Sequence, residues 1–248
     1  EMLEANSDGN TAASGVEITV PGLHGTTIMS AMAEASPGDV IVVLPGVYKE
    51  MVELRKEVEL VGEYEGRHLG KDPVKPSDVV IESSEGTPVF VDGSVGPRMR
   101  NFIIRQRGQG QFPAVVVSGA TPSLQPVVAF CDIVCESGGD EDMAAVMIKE
   151  GATPIIDTCI IHNSRCNGVM YTDRAGGRMR KTQVYGNALA GVVLRSNSNP
   201  KLIENFFQNG KGVGVHVDDA NGLFVSNEIS QNCGANVLVS SEADPIFE

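Results

Sequence analysis

The sequence has no tryptophan, and only 5% of its 248 residues are aromatic. A core built on large rings is therefore excluded, and small, stackable units fit better. Its five cysteines, Cys131, Cys135, Cys159, Cys166 and Cys233, are odd in number and lack C-x-x-C spacing. That argues against a disulfide framework or a tetrahedral zinc site and for buried reduced thiols. No apolar run reaches the ~18 residues of a spanning helix. Basic residues are also scarce: 19 Lys and Arg face 32 Asp and Glu, a net charge of −13. A general binder of nucleic acid or anionic membrane needs the opposite balance. None of the 14 asparagines sits in an N-x-S/T site, and no secretory signal is visible. A reducing compartment, cytoplasmic or nuclear, is the expectation.

What the chain has in abundance is glycine, at 28 residues, and a repeat. Short β-type runs begin at Val146, Val169, Val192, Val215 and Val237, in steps of 23, 23, 23 and 22. Each is followed by a small-residue turn, as at Gly151-Ala152-Thr153-Pro154 and Asn199-Pro200. A second ladder runs through Ile161, Val184, Phe207 and Ile229. Two positions earlier stand Cys159, Thr182, Asn205 and Asn227, and an Asn series closes the turn at Asn163, Asn187, Asn209 and Asn232.

A unit of 22–23 residues made of short strands and turns cannot bury its own apolar side chains. Stacked on copies of itself at ~4.8 Å, it pairs its backbone above and below and gains a continuous core. The expected fold is all-β: a single-stranded, right-handed parallel β-helix. Leucine-rich repeats lack their Leu framework here, and helical repeats need units of ~33–47 residues.

The expected domain spans 16–248, after a flexible leader at 1–15, with regular coils from about 144. Earlier strands are expected at Val40–Val43, Val52–Leu54, Val58–Val61, Val79–Ile81, Val89–Val91 and Phe102–Ile104, with a polar insert from Glu63 to Asp78. Thr27 precedes the one-sided pattern Ile28, Met29, Met32, Ala35, which Pro37-Gly38 ends. This predicts a short capping helix at about 26–36 that shields the open strand edges of the first coil. Asp244-Pro245-Ile246-Phe247 opens another coil, so further coils beyond it are expected.

The runs Tyr185-Gly186-Asn187, Gly191-Val192-Val193-Leu194 and Asn199-Pro200 resemble repeats of F-box-type β-helix proteins, of the carbohydrate-binding and sugar-hydrolase repeat kind. Gly212-Val213-Gly214-Val215-His216-Val217 with Asn221-Gly222 and Asn227-Glu228-Ile229 looks like their next coil. The resemblance covers 144–248 and implies a pectin lyase-like fold. In that family the repeats recruit substrates for a ubiquitin ligase, although this sequence shows no F-box segment. Pro37-Gly38-Asp39, Pro45-Gly46 and Tyr48 look like the first coil of many β-helices, pectin-active enzymes among them.

The chemistry is sparse. Hydrolysis of a polysaccharide needs paired carboxylates. Asp218-Asp219 resembles the Asp pair of polygalacturonase-like enzymes, but their Asn-Thr-Asp, His-Gly and Arg-Ile-Lys companions are not found. Calcium-assisted elimination would draw on Asp173, Arg174, Arg195 and Asp218 on neighbouring coils. The acidic run Asp140-Glu141-Asp142 has no fixed ligand spacing, and His24, His68, His162 and His216 are scattered. No catalytic residue, metal ligand or cofactor is assigned from the sequence, and the reading leans away from an enzyme.

Strand alternation instead predicts an outward row of Val115, Met147, Met170, Val193, His216 and Leu238, edged by Asp173, Arg174, Arg195 and Asp218. A soft apolar stripe rimmed by charge suits a protein partner. The first functional expectation is accordingly a non-catalytic recognition scaffold that presents this face and the 63–78, 105–112 and 135–143 loops. The alternative is a carbohydrate-binding β-helix or an enzyme modifying acidic polysaccharide.

Overall fold

The computed structural model describes residues 15–23, 25–63, 78–121, 123–240 and 242–248. The expected leader and the polar insert at 63–78 lie almost wholly outside the described residues, as do His24 and His68.

Three parallel sheets wind around one apolar column, a parallel β-helix. Sheet 1 holds ten described strands from Glu17–Val20 to Asp244–Phe247. Sheet 2 holds eight, from Gly46–Lys49 to Glu228–Ser230, and sheet 3 eight, from Val52–Leu54 to Val237–Val239. Every strand pairs with its counterpart one coil away: Val146 faces Val169, which faces Val192, which faces Val215. Both ladders read from the sequence are present, in sheets 3 and 2. Sheet 1 carries a third that the reading passed over, Ile156, Met179, Leu202 and Phe224, all buried. In the regular coils its strands are short and flanked by charge, as in Arg178–Arg180, so no β-type run announces them, unlike its earlier strands at Val40–Val43 and Glu59–Gly62.

The turn between sheets 1 and 2 explains the polar ladder. Phe130, Thr158, Lys181, Glu204 and Ser226 each adopt φ of 51–55° or close to it, at 50° for Lys181. At Cys159, Thr182 and Asn205 the buried residue that follows then bonds to the coil above. The Thr182 amide donates to Asn205 Oδ1 at 3.0 Å, and the Asn205 amide to Asn227 Oδ1 at 2.9 Å. The second Asn series proves to be two interleaved columns. Asn163, Gly186, Asn209 and Gln231 hold left-handed φ, while Asn187 and Asn232 are one residue later and accept from the Ser164 and Gly210 amides. Glycine is required where the chain enters sheet 3: a Cβ on Gly168 would stand 2.5 Å from the Gly191 carbonyl oxygen, and one on Gly191 2.6 Å from that of Gly214.

The capping helix, α1 (Ile28–Glu34), seals the first coil with Ile28, Ala31 and Met32 against the column. Its ends are held by charge as well as by Thr27. Glu50 accepts from the Ile28 and Met29 amides at 2.9 and 3.0 Å, and Lys56 Nζ donates to the carbonyls of Met32, Ala33 and Ala35 at 2.8–2.9 Å. Both placements complement the helix dipole. Four cysteines are buried free thiols, but Cys233 is exposed, contrary to the sequence reading.

Two predictions follow from the polar ties. Asn205 is fully buried and also donates to the Met179 carbonyl at 3.0 Å. Asn205→Ala orphans buried backbone groups and is expected to cost about 2–3 kcal/mol in urea denaturation; a loss below ~0.5 kcal/mol would contradict the ladder's role. Asp39 accepts from the Ser36 and Val16 amides, each at 2.8 Å, and these bonds hold its carboxyl below the usual aspartate value. Its stabilising contribution is present above the unfolded-state pKa and is lost as pH falls through the lowered folded value. Acid melts should show Asp39→Asn less sensitive than the parent in that window.

Candidate functional site

Sheet 3 decides which residues face outward, and it corrects the sequence reading at one position. Val115 pairs with Val146 and Val89, so it lies in the inward column and is fully buried. The step to the next coil is 31 residues instead of the regular 22–23, and this concealed the register. The outward row is Glu53, Phe90, Val116, Met147, Met170, Val193, His216 and Leu238.

That row is not an open stripe. Met170 and Val193 form a second apolar cluster outside the sheet with Ala144 and Ala190, and Met147 and Val213 pack against it. Met170 is 0% exposed and Val193 7%, against 45% for Leu238. Side chains entering each strand from the preceding turn cover the middle of the row. Toward the N-terminal end, Arg55 lies over the Phe90 ring at 4.7 Å.

The charged residues also separate. Arg195 and Asp218 follow their strands in one column, since the Arg195 amide donates to Tyr171 and the Asp218 amide to Leu194. Asp173 and Arg174 instead turn away in left-handed conformations of φ 51° and 61°, alongside Ser196 and Asp219. The expected cluster of Asp173, Arg174, Arg195 and Asp218 is therefore split. The adjacent pair Asp218-Asp219 divides in the same way.

What the fold assembles is a groove of about 580 Å³ where the covered row ends. Its floor is Ala190, Val193, Val213 and Leu238, and Asn167, Arg195, Lys211, His216 and Asp218 stand around it. The loop before the strand Ala144–Lys149 supplies Glu141 and Asp142 to its rim. Asn167, 3% exposed, fastens that loop: its Nδ2 donates to the carbonyls of Glu141 and Met143, both at 2.8 Å, and its Oδ1 accepts from the Ala190 amide at 2.9 Å. Arg195 Nη1 donates to Asp142, closing an ion pair across 53 positions of sequence. Lys211, His216 and Asp218 have no side-chain hydrogen bond or ion pair among the described residues. Cys135 and Cys166 are both buried thiols, and their interaction lowers the Cys135 thiol from its ordinary value while raising that of Cys166.

Sequence reasoning found Val193, Arg195, His216, Asp218 and Leu238 but not Asn167 or Lys211. Lys211 carries no periodic signal, and Asn167 reads as one more turn residue. Two further constellations stand apart from the groove. His162 Nε2 and Asp132 Oδ1 are 3.0 Å apart on the outer face of sheet 2, where His162 stacks on Tyr185. Asn163 meets the other ring nitrogen at 2.9 Å, so both ring nitrogens are engaged. A concavity of about 570 Å³ near Glu82 is ion-paired within itself, through Lys49 and Arg107.

Residues 131–248 match the family model described as right handed beta helix region. The fold is a right-handed parallel β-helix. Pectin methylesterase PemA from Erwinia chrysanthemi is 11% identical and superposes with a TM-score of 0.53, over 93% of this chain and 92% of that one. The carrot pectin methylesterase is 11% identical over 97% of this chain and 91% of its own, at a TM-score of 0.49. The A-module of the Azotobacter vinelandii mannuronan C-5 epimerase AlgE6 is 15% identical over 86% and 73%, at 0.47. The PemA likeness establishes the pectin lyase-like winding and no activity; the other two add nothing to it. These matches do not single out F-box-type proteins.

Cover over the row changes what a charge at Met170 should do. Met170→Lys is expected to destabilise by more than about 3 kcal/mol, because it buries an unpaired ammonium. Leu238→Lys, at an exposed position of the same row, should change stability by less than ~0.5 kcal/mol. Equal effects in chemical denaturation would show that the row is not covered.

Proposed function

We propose that this β-helix recognises carbohydrate, holding a segment of polysaccharide in the groove between the acidic loop and sheet 3. The observation that carries the reading is the pairing of an apolar floor with unpartnered polar groups. Lys211 can only donate and Asp218 can only accept, while His216 can do both. Hydroxyls, which donate and accept, match this mixture, and the C–H face of a sugar ring fits Ala190, Val193 and Val213. A β-helix neighbour whose name declares action on pectin is consistent with it. The protein-scaffold reading loses ground for a physical reason: it relied on an exposed Met-containing row, and Met170 is buried.

The proposal is one of binding. Only Asp218 of the adjacent carboxylate pair lines the groove, so the arrangement that hydrolysis requires is not delivered by that pair. Titration calorimetry against fragments of pectin, alginate, β-glucan and β-galactan should find a ligand. His216→Ala or Asp218→Ala should weaken it about five- to tenfold, the usual scale of one lost hydrogen bond to a charged or polar group. No binding across the panel would overturn the reading. Release of reducing ends or unsaturated products, abolished by Asp218→Ala, would make the protein an enzyme instead.

A further inference from the structure

Arg195 is the groove's obvious receptor for a sugar carboxylate, because a planar guanidinium matches that group bidentately. It is already taken. Asp142 occupies it from a loop whose backbone is anchored on both sides by Asn167, through the carbonyls of Glu141 and Met143. The loop is further braced where the Asp142 amide donates to Asp140 Oδ1 at 3.0 Å. With Arg195 paired, the remaining lining charges are Lys211 against Glu141 and Asp218, on a chain of net charge −13. A uronate that takes Arg195 must displace Asp142 and leaves three carboxylates facing one ammonium, whereas Lys211 offers only a point charge, on a rim that also carries Glu141 and Asp218. A neutral sugar displaces nothing: its hydroxyls meet the outer lone pairs of Asp142, Glu141 and Asp218 and the free N–H groups of Arg195 and Lys211.

Resting on the carbohydrate reading, we infer that the groove takes an uncharged, hydroxyl-rich glycan and discriminates against polyuronates, and that Asp142 is the residue that sets this choice. Asp142 disfavours anionic sugars by standing in for their carboxylate. Its side chain is 71% exposed and that of Arg195 31%, so the pair is a water-screened one of modest strength. Its removal should shift selectivity by a small factor.

The test compares a neutral β-1,4-galactan or β-1,4-glucan hexasaccharide with hexagalacturonate, by calorimetry at low and at high salt. The parent should prefer a neutral probe. Asp142→Asn should move the acidic-to-neutral affinity ratio about two- to fivefold toward hexagalacturonate, an effect that fades as salt shortens the Debye length. Adding Arg195→Gln to that variant should cancel the shift. Asp142 lies on an exposed loop, and unchanged thermal melts of each variant confirm folding. A parent that prefers hexagalacturonate, or a ratio that Asp142→Asn leaves unmoved, overturns the inference while the carbohydrate reading stands. Absence of binding to every probe by every variant overturns both.

Discussion

Pairing of each coil with the next is the interaction on which the rest of this molecule depends. No strand finds its partner in its sequence neighbour; each finds it 19 to 39 positions away, as Val40 with Glu59 and Glu59 with Arg98. Two consequences follow. Backbone groups at the turns must be satisfied along the stack, which is why the buried corners carry Thr182, Asn187 and Asn205 instead of aliphatic residues. Inward residues must also be alike from coil to coil, because each packs on its counterpart ~4.8 Å away.

The same constraint shapes the outer faces. A residue pointing outward is not thereby exposed, since each turn that re-enters sheet 3 can fold a small side chain over the row. Ala144, Ala190 and Val213 do this to Met147, Met170 and Val193. The outer cluster closes the middle of the row and leaves a groove only where cover ends. The groove is found there, with His216 and Leu238 emerging from the row and the acidic loop leaning over from two coils before that of Arg195.

Within the groove, geometry and charge divide the work. The sheet sets the spacing of Val193, Arg195, His216 and Asp218, while the loop adds Glu141 and Asp142 at positions the repeat does not specify. Asn167 joins the two systems. It ranks among the most fully bonded side chains of the site, and its place is that of a fastener between scaffold and loop.

The primary structure by itself determined the coil period, the parallel stacking, the capping helix and the inward columns of sheets 2 and 3. These are legible because stacking demands the same kind of residue at the same step, which repeats as ladders from Val146 and Ile161. The sheet 1 strands at Val40–Val43 and Glu59–Gly62 were legible as apolar runs, but those of the regular coils were missed because charged neighbours such as Arg178 and Arg180 break up the run around a single buried Met179. Val115 was misplaced because its coil carries a long loop that shifts the count. Only the tertiary structure decided which outward residues are covered, that Asp173 and Arg174 turn away, and that Asp142 reaches Arg195. Those outcomes depend on loop paths and turn dihedrals, and a non-repeating loop leaves no periodic trace in the chain that encodes it.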